Sequence, residues 1–325
     1  MLLSFAAIIL GLALLVWSAD QFVDGATAIA RHLGVSSLII GITIVGFGTS
    51  APEILVSVIA VLEGTPDLAI GNALGSNIAN IGLILGVTAI LAVVPIDRTI
   101  LKREYPLLLI ATVVMIWCLF DLKLDFIDGI MLLALLVIML WYMIDIHRKN
   151  GIPLEGVDDD DEQETLMSLK VATGWVVVGL LILVGSSKLL VWGASNVAIA
   201  LGVSDLIIGL TIVALGTSLP ELAASISSLK KGQTDLAVGN VIGSNLFNSL
   251  AVIGIPAMLT SFTIDESALY RDLPVVAGLT FLLYALSRFP LGVNHQLTRL
   301  KGILLLACFV IYQLYLYYEV ISSTT

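Results

Sequence analysis

Two glutamates sit inside long apolar stretches, and each follows the same short run: Gly-Thr-Ser-Ala-Pro before Glu53 and Gly-Thr-Ser-Leu-Pro before Glu221. A carboxylate at membrane depth is costly, so it marks a site with a task. Oxygen donors recur around both at helical spacing. Thr49 and Thr217 lie four residues before the glutamates and Ser50 and Ser218 three before, which puts these oxygens on one side of a helix. Pro52 and Pro220 have no N–H, so each frees the carbonyl four residues back, on Gly48 and Gly216. Broken backbone at that depth survives only where protein or a watery cavity satisfies it.

Downstream, Asn72, Ser76 and Asn80 recur every four residues, and Asn240, Ser244 and Asn248 repeat the pattern. Gly71, Gly75, Gly239 and Gly243 run beside them and permit close approach between helices. Asn77 and Asn245 fall one step off this stripe and are expected to bond local backbone. The donor set holds neither thiolate nor imidazole, which suits Ca²⁺ or Na⁺ and argues against zinc or copper. Two carboxylates neutralise one Ca²⁺ or two Na⁺. One pocket then takes either ion but not both, which is the physical basis of exchange. The competing reading, polar residues acting as helix glue, fits Asn77 and Asn245 better than two equivalent glutamates.

The elements that must position these groups are duplicated. Residues 25–80 and 193–248 align at an offset of 168 without a gap, with 30 identities in 56 positions. Hydrophobic residues make up 58% of the chain and charged ones 12%, with a mean hydropathy of +1.06. That composition defines a polytopic helical membrane protein. Apolar runs predict spans near 2–29, 36–61, 68–94, 104–120, 126–146, 170–200, 204–229, 236–260, 272–288 and 299–321. The first has no basic n-region or small-residue cleavage site, so it reads as a span rather than a signal peptide.

Five spans fall on each side of an acidic stretch that includes Asp158–Glu162. An odd number per half makes the second copy enter the membrane in the opposite sense, as inverted repeats do. The expected fold is therefore an all-α polytopic membrane protein: ten transmembrane helices in two inverted five-helix repeats. The repeats comprise 1–146 and 170–325, joined by an acidic linker, 147–169. Lys and Arg set the orientation. With both termini outside the cytoplasm, twelve basic residues fall in inner loops and only Lys123 and Arg271 in outer ones.

Lys188 is the remaining basic residue, at the position equivalent to Asp20. Snorkelling accounts for both, and a direct pair between them is a further expectation to check. Cys118 and Cys308 read as small core residues, not a disulfide or metal pair. The acidic stretch lacks the ligand pattern of an EF-hand and reads as a solvated hinge.

The paired segments GTSAPE…GNALGSNIANIG and GTSLPE…GNVIGSNLFNSL resemble the alpha repeats of the calcium/cation antiporter superfamily. They are most similar to its sodium/calcium exchanger branch, especially short prokaryotic members. The resemblance implies that Glu53 and Glu221 are shared calcium ligands, with backbone carbonyls from Thr49 and Thr217. It implies flanking sodium sites lined by Ser50, Ser76, Ser218 and Ser244 with the carbonyls of Gly46 and Ala214, and a ring completed by Asn80 and Asn248. Some relatives carry aspartate at the place of Asn248. Here both places are asparagine, so the site has two formal charges rather than three.

The expected function is Na⁺/Ca²⁺ antiport by alternating access in the inner (plasma) membrane, with proton-coupled exchange of calcium or another cation as the alternative. A cation channel and an ion sensor acting through the acidic linker are the rivals from other classes. No nucleophile–base pair accompanies the carboxylates, so an enzyme is not expected. Neither a cofactor beyond the transported ions, nor nucleic acid, nor an obligatory protein partner is expected, and the chain reads as a monomer.

Overall fold

The computed structural model describes residues 1–96, 98–150, 167–201, 214–288 and 295–324. Most of the acidic linker and the first part of the seventh expected span lie outside the described residues.

The long helices are α1 (Leu2–Leu33), α2 (Ser37–Leu62), α3 (Pro66–Leu91), α4 (Glu104–Leu119) and α5 (Phe126–Asn150) in the first half. The second half carries α6 (Leu169–Ala200), α7 (Leu219–Lys230), α8 (Thr234–Leu259), α9 (Ala268–Arg288) and α10 (Arg299–Thr324). Among the described residues, eight helices are long and apolar enough to cross a membrane; α4 and α7 fall short of that length. Their ends follow local chemistry. Gly34 closes α1 at φ 63°, a conformation that costs glycine little, and its N–H returns to Ala30 and Arg31. Ser36 caps α2 by accepting from the Ile39 N–H. Pro66 opens α3 where a missing N–H is harmless.

α1 and α6 lie antiparallel along their length. A Cβ on Gly25 would meet the Ala172 carbonyl at 2.7 Å, and one on Gly193 the Ser4 carbonyl at 2.7 Å. Gly11 faces Leu190, and Gly179 faces Phe22. These four glycines are repeat-equivalent in pairs, so the two helices meet through the same residues from each copy. Small residues that admit close backbone contact are the usual basis of helix association in lipid. The main apolar core lies elsewhere, among α3, α4, α5, α8, α9 and α10, with Tyr105, Leu108 and Met115 in its centre.

Two short antiparallel ribbons tie loops together. Val94–Pro95 (β1) pairs with Gln296–Leu297 (β4), and Lys123–Leu124 (β2) pairs with Phe262–Thr263 (β3). The direct Asp20–Lys188 pair, the alternative to snorkelling, does not form. Asp20 instead accepts from the Ser227 hydroxyl at 2.5 Å, and Lys231 bridges the Asp20 carbonyl (2.7 Å) and the Asp24 carboxylate (2.6 Å). The C-terminal end of α7 and the turn after it supply nearer partners than a residue on α6 can. Cys118 and Cys308 are free thiols.

Candidate cation-binding site

α2 and α8 cross in parallel through glycine. A Cβ on Gly239 would sit 2.5 Å from the Leu38 carbonyl, one on Gly243 2.3 Å from the Ile42 carbonyl, and one on Gly46 3.0 Å from Gly243. Only hydrogen at these positions lets the two motif helices touch. Their contact brings the Thr49 hydroxyl, already 3.1 Å from the Val45 carbonyl of its own helix, to 3.2 Å from Asn240 Oδ1 and 3.3 Å from Ser244 Oγ. The motif of one repeat therefore meets the polar stripe of the other, and Glu53 and Thr49 both come within reach of the Glu221 carboxyl.

Each glutamate's backbone is braced identically. Asn72 donates to the Glu53 carbonyl at 3.1 Å and to Ser57 Oγ at 3.0 Å. Asn240 does the same to Glu221 (3.3 Å) and Ser225 (3.1 Å). Asn72 and Asn240 thus position the glutamates rather than face an ion through that amide nitrogen. Ser57 and Ser225 were not singled out from the sequence, although both lie four residues past a glutamate and match at the repeat offset. Asn80 and Asn248 enter π-helical turns, Ala79–Leu85 and Asn248–Val252, which re-aim side chains and cluster at functional sites.

The carboxylate oxygens Glu53 Oε1 and Oε2 and Glu221 Oε2 are buried without a hydrogen-bond partner, as are Ser50 Oγ and Asn248 Oδ1. The Asn80 amide nitrogen is buried and unpartnered too, and a half-turn of that amide presents its oxygen. An unsatisfied buried polar atom costs roughly 1–3 kcal/mol, more when charged. So many oxygens in one place form a donor set that a hard cation satisfies. Ser76, Ser218 and Ser244 are buried in the same region. Gly46 lies against the Gly243–Ser244 backbone, and Ala214 opens the short helical turn Ala214–Thr217.

Three expectations are revised by the fold. The proline break occurs only in the second half, where the helix is interrupted at Ser218 (φ −91°, ψ 3°); Pro52 sits inside a continuous helix, Gly46–Leu62. The carbonyl that Pro220 frees is not loose: Ser187 on α6 donates to the Gly216 oxygen at 2.7 Å. Asn245 bonds local backbone as expected, at Val241, but Asn77 reaches across to Ser249 on α8 at 2.9 Å. Removing the Ser187 hydroxyl leaves the Gly216 carbonyl to compete for a cation. We expect Ser187→Ala to lower stability by about 1 kcal/mol and to tighten apparent Ca²⁺ affinity several-fold in an uptake titration. Unchanged affinity would place that carbonyl outside the ion path.

Two cavities reach these groups. One of about 270 Å³ lies among Pro52, Glu53, Ser187, Lys188 and Thr217. Another of about 350 Å³ runs past Arg271 and Asp272 to Asn72, Ser76 and Thr217. The cation at its mouth is compensated: Arg271 pairs with Asp272 at 2.7 Å and with Glu319 at 3.1 Å, and Tyr312 donates to Asp272 at 2.8 Å. The vestibule therefore does not repel positive ions.

Membrane-length helices around two buried carboxylates and neutral oxygen donors, with cavities leading to them, define an ion-transport protein. The comparisons with known proteins give that class its family. The sequence matches the sodium/calcium exchanger protein family over residues 3–144 and 171–318, and the chain belongs to that family. It is a multi-pass cation/Ca²⁺ antiporter, and the family is one of transporters rather than enzymes. It is 44% identical over 319 residues to CaxA of Alkalimonas amylolytica, a provisionally named antiporter, covering 98% of this chain and 99% of that one. It is 40% identical to the inner membrane protein YrbG of Escherichia coli (strain K12), covering 98% of both chains. Among solved structures, the sodium-calcium exchanger NCX_Mj soaked with 10 mM Na⁺ and 10 mM Sr²⁺ superposes with a TM-score of 0.80 at 34% identity, over 95% of this chain and 97% of that one.

Proposed function

We propose that this protein exchanges Na⁺ for Ca²⁺ by alternating access, with the ions held between two inverted five-helix repeats, 1–146 and 170–325. The observation that carries the reading is the pair of repeat-equivalent glutamates, buried together among oxygens that have no protein partner. Glu53 and Glu221 bind Ca²⁺ with the Thr49 and Thr217 carbonyls. Ser50, Ser76, Ser218 and Ser244 hold Na⁺ with the Gly46 and Ala214 carbonyls, and Asn80 and Asn248 close the ring. The names and ions attached to the relatives support this ion pair.

The ribbons support ten crossings. β1 and β4 must lie on one membrane face, and so must β2 and β3. Strand pairing across those loops requires an even number of crossings between them. With eight long spans crossing, that parity is met at both ribbons only if α4 and α7, with the residues preceding it, cross as well. The parallel contact of α2 with α8 and the antiparallel contact of α1 with α6 fit the same inverted arrangement. The count of basic residues then puts both termini outside the cytoplasm, in a plasma or inner membrane.

Calcium uptake into sealed liposomes loaded with Na⁺ tests the coupling. Uptake that collapses when internal Na⁺ is replaced by choline is expected; uptake driven by a pH gradient alone would move the protein to proton coupling. Ligation requires ionised glutamates, so protons compete with the cation. Acidification should therefore weaken apparent Ca²⁺ affinity and leave the maximal rate at saturating Ca²⁺ less affected. An affinity that stays flat as pH falls through the carboxylate range would contradict direct ligation.

A further inference from the structure

Away from the cation site, a cavity of about 460 Å³ opens between the helical turn Arg98–Lys102 and the end of α9, beside the β1–β4 ribbon. Arg98, Lys102, Arg288 and His295 line it with Leu101, Pro106 and Tyr284, and no carboxylate does so among the described residues. Glu104, two residues along from Lys102, is fully buried. In a chain with 25 acidic and 15 basic residues, such a concentration of cations runs against composition.

Arg288 is held in place. Arg288 Nη1 donates to the Tyr284 hydroxyl at 2.5 Å, and its guanidinium carbon lies 5.8 Å from that ring's centroid. Tyr105 meets the Tyr284 ring edge-on at 6.5 Å and accepts from Ser287 at 3.2 Å. His295 Nδ1 is buried without a hydrogen-bond partner. Cations already ordered lose little freedom on binding, and Arg and Lys recognise phosphate oxygens through charge-assisted hydrogen bonds.

The cavity lies at helix ends, and α4 and α9 expose Val113 and Phe281 further along their lengths. A phosphate with an attached apolar tail fits charges set beside Leu101 and Pro106 better than a free ion does. We propose that this cavity binds the phosphate headgroup of an anionic phospholipid, on the face that the basic-residue count assigns to the cytoplasm. Basic pockets between membrane helices take such headgroups on general electrostatic grounds. The binding does not depend on which ions are exchanged.

Native mass spectrometry of the delipidated full chain, titrated with phosphatidylglycerol or phosphatidylcholine, reads the site directly. Phosphatidylglycerol should be retained in preference. Arg98→Gln, Lys102→Gln and Arg288→Gln together should weaken it about a hundredfold, at about fivefold per charge, and leave phosphatidylcholine unchanged. Lys102→Arg should keep the preference. A triple variant that retains phosphatidylglycerol as the parent does overturns the site, as does an equal loss on Lys123→Gln, which removes one charge from the other ribbon. Glycerophosphate or inorganic phosphate displacing the lipid at comparable concentration overturns the lipid in favour of a soluble phosphate. Should the triple variant not fold, Arg98→Gln and Lys102→Gln singly, each expected to cost about fivefold, carry the same test.

Discussion

Glu53→Gln and Glu221→Gln each abolish calcium transport while leaving the protein folded. Glutamine keeps the volume and one oxygen of the carboxyl group, replaces the other with an NH2 donor and removes the charge. Breaking one side of a buried charge pair costs roughly 3–5 kcal/mol, so apparent Ca²⁺ affinity should fall by two to nearly four orders of magnitude. The fold should not suffer, because Glu53 Oε1 and Oε2 and Glu221 Oε2 make no protein hydrogen bond that glutamine would forfeit. Bringing two carboxylates together without an ion is unfavourable, so each variant should melt no lower than the parent in ion-free buffer. The stabilisation that Ca²⁺ confers on the parent, which follows from its binding to the folded state, should vanish. The double variant should add little, since both residues act on one ion. Robust sodium-dependent uptake by either single variant would remove these residues from the site.

Gly243→Val stops turnover by forcing α2 and α8 apart. At Gly243 a Cβ would lie 2.3 Å from the Ile42 carbonyl and 2.7 Å from its Cα, a clash with backbone that no rotamer relieves. Overpacking of this kind costs typically 1–3 kcal/mol and more when backbone must move. The present α2–α8 contact should therefore be depopulated. A differential of about 3 kcal/mol shifts a two-state ratio roughly 150-fold.

Gln313 lines the larger cavity. Gln313→Cys, with Cys118 and Cys308 replaced by alanine, gives an accessible thiol for a membrane-impermeant reagent. Labelling should fall with Gly243→Val. Labelling equal to the parent's, with transport retained, would leave the α2–α8 contact without a part in transport.

Much of the site was legible along the chain because its information is local and written twice. The four-residue spacing of Asn72, Ser76 and Asn80, and of Asn240, Ser244 and Asn248, is a helical period. Among the fully described spans, helix bounds followed from hydropathy to within a few residues, α6 at Leu169–Ala200 against an expected 170–200. Ser57 and Ser225 could have been found by the same offset. Ser187 could not: its equivalent in the first copy is Ala19, and its partner, the Gly216 carbonyl, lies on another helix. Asp20 likewise found Ser227 rather than Lys188, a choice made by which helix ends meet.

Composition, hydropathy and the duplicated motif were sufficient to define a membrane protein with two equivalent carboxylates in an all-oxygen setting. They could not say which side chains meet across helices. Asn77 and Asn245 occupy the same place in near-identical segments, yet Asn77 donates to Ser249 on α8 and Asn245 to the Val241 carbonyl of its own helix. A local pattern that is the same in both copies carries no term that separates them. The difference arises only when the repeats are assembled, because a partner on another helix is a property of the arrangement between helices.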